Sequence, residues 1–483
     1  MMNISKFESK SIFILLAFFA IAWLSFLVTT VPIPPFDNIE QLVWMRSMEW
    51  GYFKHPPLTT WLMWPFVQIF GWNKWASYLL GASCTIASLG IFWNILRQAK
   101  GPHFAGVALL IAMCITYYNG SLLAYNHNIS LTLLVAITAW IWWKLIQEVS
   151  LTWWLALGII TAFGMLTKYQ YALTLFVGAY LFIKYGMWKI KKNYFYIAIA
   201  GLLTIVILTP HLIWLSDQKA GPLQYAASVL AKPYPFLQRM EQVFYWLIDI
   251  FFNRCLAAMI LLGFVFFYTR KNKNTEEEKN NISVQFILAW GLTPILLMAM
   301  MGGISGNYLP TRWGTAFAMW MIPLLMLSLS IQENKLTEQH VIKKITISFV
   351  IIQIMLIFLS LQTSIYGFFP SKNPKKIPFP YEQMHTEMLH VIHSLTDCPI
   401  DVISGPIGQS GALAIAFNNH PKVLIEGDLD KSPWIKPNEL ARSMILNLWD
   451  PNQARTDAFK TFNGWSYQVQ WPTETDMLSK CKK

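Results

Sequence analysis

Apolar runs of about twenty residues, the length that crosses a hydrocarbon core, recur along most of the chain and are parted by short polar turns. They predict spans at 11–31, 75–96, 104–122, 129–146, 153–166, 171–183, 194–214, 250–268, 284–301, 313–329 and 345–366, about eleven in all. The fifth and sixth are short and split only by Thr167 and Lys168. The first lacks a small-residue cleavage pattern and is followed by further spans, so it reads as retained rather than as a signal peptide. The predicted class is therefore a polytopic α-helical membrane protein.

Composition agrees. Hydrophobic residues make up 55% of the 483 positions and charged residues 13%, against about 25% charged in an ordinary soluble protein. Abundant Trp, Phe and Tyr suit aromatic belts at two interfaces. The formal charge of +12 resides mainly in short loops, which is a topology signature and not a nucleic-acid footprint. With the N-terminus in the cytoplasm, the inside segments hold Lys6, Lys10, Arg97, Lys100, Lys144, Lys184, Lys189, Lys191, Lys192, Arg270, Lys271, Lys273, Lys279, Lys335, Lys343 and Lys344. The outside loops hold fewer, namely Arg46, Lys54, Lys74, Lys168, Lys219, Lys232, Arg239, Arg254 and Arg312. That bias favours N-in, and an odd span count then puts the first loop, 32–74, and the C-terminus on the same outer side.

After Phe369 the composition turns soluble. A Pro- and Lys-rich linker at 370–380 leads into a domain, 370–483, large enough to fold as a small α/β unit. Strands at 401–404 and 423–426 flanking a helix at 411–417 make a βαβ unit. Its GPIGQSG sequence (405–411) lacks the full G-x-G-x-x-G spacing, so a plain strand-to-helix turn is favoured over a phosphate loop. Asp428 and Asp430 form a D-x-D, a pattern that polar turns also produce by chance. Cys84, Cys114 and Cys255 lie in or beside spans as small apolar residues, whereas Cys398 and Cys481 share the outer domain and can bond if that compartment is oxidising.

Polar chemistry concentrates in the first loop. The sequence VPIPPFDNIEQLVWMRSMEWGYFKHPPLTTW (31–61) gathers Asp37, Glu40, Arg46, Glu49, Lys54 and His55 among aromatics and prolines. Charge is costly at a membrane, so such a cluster points to substrate handling. Residues 37–50 have helical periodicity, with Ile39, Leu42, Val43, Arg46 and Trp50 on one side and Asp37, Glu40 and Trp44 on another. Asp37 followed by Glu40 also fits a capping box, in which both carboxylates satisfy helix amides. GYFKHPPL (51–58) turns the chain back, because paired prolines cannot continue a helix, and 58–70 suits a helix lying in the interface. Lys54 and His55 stand where an anionic lipid headgroup would be met.

These residues give the chain a resemblance. An acidic first loop, a Y-F-x-H-P-P-L turn, YNHN at 125–128, Lys168-Tyr169, Pro210-His211 through Trp214, RWGT at 312–315 and SPW at 432–434 resemble the C-superfamily (GT-C) membrane glycosyltransferases. Within them the chain is similar to the group holding protein O-mannosyltransferases and the lipid A aminoarabinose and galacturonic acid transferases. The resemblance implies a GT-C helical fold with a C-terminal extracytoplasmic domain, and transfer of a sugar from a polyprenyl-phosphate carrier to lipid A, another glycan or protein. It implies Asp37 and Glu40 at the catalytic centre; Lys168, His55, His211, Lys54 and Arg312 about the donor phosphate; and Tyr52, Asn126, His127, Asn128 and Tyr169 about sugar or acceptor. Two departures stand out. Relatives usually carry an acidic residue, a metal ligand, where this chain has Lys54, and some carry an aspartate where it has Asn126, His127 and Asn128. Both weaken the case for a divalent metal, which is left open as a cofactor.

The chemistry suits these residues without the resemblance. A sugar on a lipid phosphate has a good leaving group, so departure needs positive charge from Lys168, Lys54, Arg254 or Arg312, and a carboxylate such as Asp37 can take the acceptor's proton. Duller readings stand beside each. Lys168 can snorkel at a span end, Asp249 and Arg254 can be a structural ion pair, His211 can be an interfacial cap, and Arg312 can stack on Trp313. A transporter or flippase of lipid-linked or small anionic substrates is the rival class, though the sequence shows neither its internal repeats nor midplane charges. The expectation is a monomeric enzyme of the bacterial inner membrane, acting on its outer face with lipid partners and no nucleic acid.

Overall fold

The computed structural model describes residues 7–218, 221–230, 234–270, 282–305, 309–362, 379–453, 458–460, 464–474, 477 and 481. Lys6, Lys219, Lys232, Lys271, Lys273, Lys279, positions 363–366 of the last span and most of the Pro/Lys linker lie outside them.

Each predicted apolar run contains a helix: α1 (Ser9–Thr30), α5 (Lys74–Lys100), α6 (Pro102–Ala112), α7 (His127–Leu145), α8 (Leu151–Thr167), α9 (Leu173–Lys184), α10 (Lys191–Asp217), α13 (Leu256–Thr269), α14 (Ile282–Ser305), α15 (Ala318–Ser328) and α16 (Gln339–Gln362). Among the described residues six of these, α1, α5, α7, α10, α14 and α16, are long and apolar enough to cross a membrane alone. A seventh forms if α12 (Phe236–Ile248), with its π-helical continuation to Arg254, and α13 count as one span, bent by 67°. The helices α6, α8, α9 and α15 fall short of that length, so helix length alone does not reach eleven crossings.

The apolar sequence faces outward as well as inward. On α10 Leu202 is 63% and Ile205 59% exposed, a contiguous band that a soluble protein would hide and a lipid phase accommodates. Inside the bundle, hydrogen bonds between buried polar side chains tie helices together. Trp23 of α1 donates to Gln353 of α16 at 2.9 Å, and Gln353 donates in turn to the Met113 carbonyl, tying three helices together.

Between α1 and α5 lies the first loop. It folds as α2 (Phe36–Trp44), an irregular turn through Pro57, then α3 (Leu58–Trp61) and α4 (Trp64–Phe70). The expected helix to residue 50 therefore ends six residues early, and the expected interfacial helix is two short pieces. The capping box does not form either. The N-cap of α2 is Pro35 and no side chain caps it, so Asp37 sits inside the first turn with its carboxylate free for other partners.

The C-terminal part is an α/β unit. After α17 (Tyr381–Leu395), β1 (Val402–Gly405), α18 (Ile407–Ala416) and β2 (Lys422–Ile425) form a parallel βαβ unit, matching the sequence reading. The sequence reading missed β3 (Ile445–Trp449), β4 (Phe459–Lys460) and β5 (Ser466–Gln470), which complete a sheet of order β2-β1-β3-β5-β4 with β5 antiparallel to both neighbours. GPIGQSG is the strand-to-helix turn between β1 and α18. Asp428 organises its own turn by accepting from the Asp430 amide at 2.9 Å, and Lys431 lies between Glu426 and Asp428. Ser432 and Trp434 bind the β2 backbone through Ile425 and Val423.

Two observations join this unit to the first loop. Its apolar core includes Ile39, Val43, Trp44 and Tyr52, and Arg46 donates to the His420 carbonyl while its guanidinium lies 4.1 Å from the centre of the Trp72 ring. The loop and the C-terminal unit thus occupy the same end of the bundle.

Cys398 and Cys481 form a disulfide with Cα atoms 5.3 Å apart, closing a segment of 83 residues, while Cys84, Cys114 and Cys255 are free and buried. Cys398→Ser should lower the stability of the C-terminal unit by about 2–5 kcal/mol. Thermal unfolding in detergent is the check: reductant lowers the wild-type midpoint and leaves the variant's unchanged, and a wild type indifferent to reductant contradicts the expectation.

Candidate functional site

Five elements converge at this end: α2, the turn after it, the start of α7, the α8–α9 joint and the turn Thr311–Gly314. Position begins with Asn38, which is fully buried. Its amide donates to Ser77 Oγ at 3.0 Å and to the Leu123 carbonyl at 2.9 Å, and its oxygen accepts from the Tyr125 amide at 2.8 Å. All of its hydrogen-bonding groups are met, so α2 is fixed in rotation as well as place. Gln41 adds an acceptor for Thr60 Oγ1 at 2.7 Å on the returning chain.

Fixing Asn38 aims its neighbour Asp37 at the start of α7. There Asn126 does two things at once. Its oxygen caps α7 by accepting from the Asn128 and Ile129 amides, and its amide nitrogen donates to Asp37 Oδ2 at 3.0 Å. One carboxylate oxygen is thereby held by a rigid group.

Cations gather near Asp37 and Glu40. Lys54 Nζ lies 2.6 Å from Glu40 Oε1 and 5.3 Å from the centre of the Phe36 ring. Glu40 is buried, and desolvation pushes its carboxyl up to about 7 despite the opposing pull of Lys54. Lys168 follows the last residue of α8 and donates to Asn128 Oδ1 at 2.6 Å while lying 5.1 Å from the centre of the Trp313 ring. Burial first, and the positive charge of Arg312 second, lower its ammonium to about 7. Arg312 itself is exposed, yet close enough to bias Glu40, His55 and Lys168.

His55 and His127 lie face to face, ring centres 3.8 Å apart, with Trp44 beside both at 6.2 and 6.1 Å. Burial, then Lys168, Lys54 and Arg312, depress His55 to about 3, so it is neutral. His127 Nε2 is buried and has no hydrogen-bond partner within the protein.

Other expected residues are engaged structurally. His211 Nδ1 donates to the Trp50 carbonyl at 2.6 Å and Nε2 accepts from the Tyr169 hydroxyl at 2.9 Å, so both nitrogens are occupied and the pair straps α10 to the first loop. Tyr52 stacks on Trp44 at 5.0 Å and donates to the Ser47 carbonyl. Asp249 and Arg254 lie 3.8 Å apart, with Arg254 over the Tyr117 ring, as the structural reading anticipated. The site therefore unites Asp37, Glu40, Lys54, His55, Asn126, His127, Asn128, Lys168 and Arg312. Sequence reasoning missed Asn38, Trp44 and Trp313. An amide beside Asp37 on an amphipathic helix was the available signal for the first, and the Arg312 neighbour for the last.

A divalent cation does not suit these donors as they stand. Among the described residues no three His, Cys, Asp or Glu side chains gather in a way that could hold a metal ion, and Glu40 is already paired with the Lys54 ammonium.

The family of dolichyl-phosphate-mannose-protein mannosyltransferases matches residues 54–214. The computed structure superposes on the crystal structure of ArnT from Cupriavidus metallidurans bound to undecaprenyl phosphate with a TM-score of 0.62 at 12% identity, covering 96% of this chain and 98% of that one. The chain shares the fold of that ArnT structure. The apo form of the same ArnT gives a TM-score of 0.59 over the same shares. In sequence, a lipopolysaccharide core galacturonosyltransferase, RgtA of Rhizobium johnstonii, is 23% identical over 202 residues, 40% of this chain. That match covers 38% of the relative, so the chain spans well under half the length of the curated relative it matches. The fold expected from the resemblance is borne out, and the family model matches from residue 54 onward, after Asp37 and Glu40.

Asn38→Leu keeps size but orphans the Leu123 carbonyl and the Tyr125 amide. At about 1–3 kcal/mol for each unmet buried group, the cost should be roughly 2–5 kcal/mol, seen as a lower unfolding midpoint in detergent; an unchanged midpoint contradicts the role given to Asn38.

Proposed function

We propose that this chain is a glycosyltransferase that moves a sugar from a polyprenyl-phosphate carrier to an acceptor at the outer face of a bacterial inner membrane, the acceptor being lipid A or another envelope glycan or protein. The observation that carries the reading is one carboxylate, Asp37, held by Asn126 among three cations, Lys54, Lys168 and Arg312, at the membrane end of the bundle. A lipid phosphate supplies the anion such cations await, and its tail suits the apolar surroundings. The ArnT neighbour was crystallised with undecaprenyl phosphate, which supports the same donor class here, and the galacturonosyltransferase relative supports an envelope acceptor.

The reaction is a single displacement. The acceptor hydroxyl attacks the anomeric carbon, the bond from that carbon to the phosphate oxygen breaks, and the proton passes to Asp37 Oδ1, since Oδ2 is held by Asn126. Lys54, Lys168 and Arg312 neutralise the departing phosphate in a site where desolvation strengthens each charge. One displacement inverts the anomeric centre. Glu40 keeps Lys54 in place, and neutral His55 and His127 offer ring N–H groups to the donor. Tyr169 and His211 brace the loop, and Asn128 holds Lys168. The active site and C-terminal unit are assigned to the periplasmic side and the N-terminus to the cytoplasm, with domains at 1–369 and 370–483 that share packing through α2.

Mass spectrometry of lipid A and surface glycans from cells with and without the chain tests the reading: a hexose, pentose or uronic acid lost with the gene supports it, and unchanged glycans contradict it. Asp37→Asn should lower transfer by about 100-fold or more, the range of general-base contributions, in protein that folds normally; wild-type turnover by such a variant is the contrary result.

The pH dependence has a definite sign. Lys168 is charged below about 7 and loses its proton above it, while Glu40 is neutral below about 7 and releases Lys54. Both add positive charge as pH falls, so affinity for the phosphate donor should weaken as pH rises through about 7. Lys168→Arg keeps its charge and should flatten the alkaline side of a donor-KM profile; an unaltered profile removes Lys168 from donor binding.

A further inference from the structure

The glycine motif of the C-terminal unit has a second role that the phosphate-loop reading hides. Gly408 and Gly411 stand three residues apart on α18, on one face of that helix. Across that face runs α2. A Cβ on Gly408 would come 2.5 Å from Phe36 Cδ2 and Cε2. A Cβ on Gly411 would collide with Ile39 Cγ2 and reach 2.9 Å from Val43 Cγ2. Phe36 and Ile39 flank Asp37 in sequence, so the two glycines meet the helix on either side of the carboxylate. Ile39 and Val43 are β-branched and hold one rotamer in a helix, which leaves the backbone of α2 to yield if the space is filled.

A separate contact secures the other end of α2. Arg46 reaches the His420 carbonyl and lies over Trp72, and Trp72 Nε1 donates to the Leu42 carbonyl at 2.8 Å. The seat itself is stiff, because α18 is the crossover between the parallel strands β1 and β2. Only glycine lets α18 approach this closely, and its permissive backbone is otherwise a disadvantage inside a helix.

We propose that Gly408 and Gly411 form a seat that sets the position of Asp37, making the C-terminal α/β unit a working part of the transfer site. They are positioning residues, acting through α2 without touching substrate. The proposal rests on the reading of Asp37 as the base, and its test separates the two.

Gly411→Val is made in the full-length protein, alone and with Ile39→Ala, and Gly411→Ala serves as a milder variant should the valine fail to fold. In detergent, with a polyprenyl-phosphate sugar as donor, the single variant should lose about 10–100-fold in kcat, the penalty of a misplacement near 1 Å, with the donor KM nearly unchanged. The double variant should recover most of that loss and melt above Gly411→Val. Wild-type kcat in a folded Gly411→Val or Gly411→Ala protein overturns the seat, as does a double variant no better than the single. If the wild type itself transfers no sugar, the proposed reaction falls, and the seat is decided by melting alone: recovery by Ile39→Ala supports it, and additive losses overturn it.

Discussion

One short helix, α2, carries the candidate site, and what fixes that helix is the hydrogen bonding of Asn38. Three satisfied bonds to Ser77, Leu123 and Tyr125 lock α2 against α5 and the segment before α7, and from that lock Asp37 necessarily meets Asn126. A carboxylate on a mobile loop would lose the preorganisation on which proton transfer depends. Here the bundle grips one face of α2 and the C-terminal unit the other, so an extramembranous helix of only nine residues behaves as part of two cores. Isolated, a helix so short would be marginal.

Electrostatic balance is the second constraint. Glu40 and Lys54 are paired at 2.6 Å with the carboxylate almost fully covered, and removing one member of such a pair leaves a charge in a poor solvent, typically a cost of 3–5 kcal/mol. Lys168 is held by the neutral oxygen of Asn128 instead of by a carboxylate, so the positive charge it carries below about pH 7 is left for an incoming anion. The site is thus arranged with one cation neutralised within the protein and others in reserve, a state that an anionic lipid headgroup would complete.

Much of this was legible in the residues. The apolar runs foretold the helices, the prolines the turn at 51–58, and the soluble composition after Phe369 an α/β unit whose βαβ portion was placed correctly. The density of charge in the first loop pointed to Asp37, Glu40 and Lys54, and the resemblance to Lys168, which lies close enough to Asp37 for the two charges to interact. What local pattern did not reveal were matters of tertiary contact. The capping box failed because α2 starts at Phe36 with Pro35 as its N-cap, and Glu40 pairs with Lys54 fourteen residues on; the helix ends at Trp44, whose ring packs on Tyr52 and His55. His211, expected about the donor phosphate or as an interfacial cap, has both ring nitrogens engaged by Trp50 and Tyr169 from two other elements. Strands β3 and β5 were missed because their alternation is short and irregular, and the glycines of GPIGQSG were judged by spacing when their meaning lies in what packs on them.

The central claim is that this end of the bundle binds a lipid phosphate between Lys54, Lys168 and Arg312, within reach of Asp37. A cryo-EM or crystal structure of the full-length protein with undecaprenyl phosphate tests it most directly. The account predicts phosphate density contacting Lys168 and at least one of Lys54 and Arg312, with the first isoprene units along the bundle surface. Density at the opposite end, beside Arg97, Lys100 and Lys144, would contradict it.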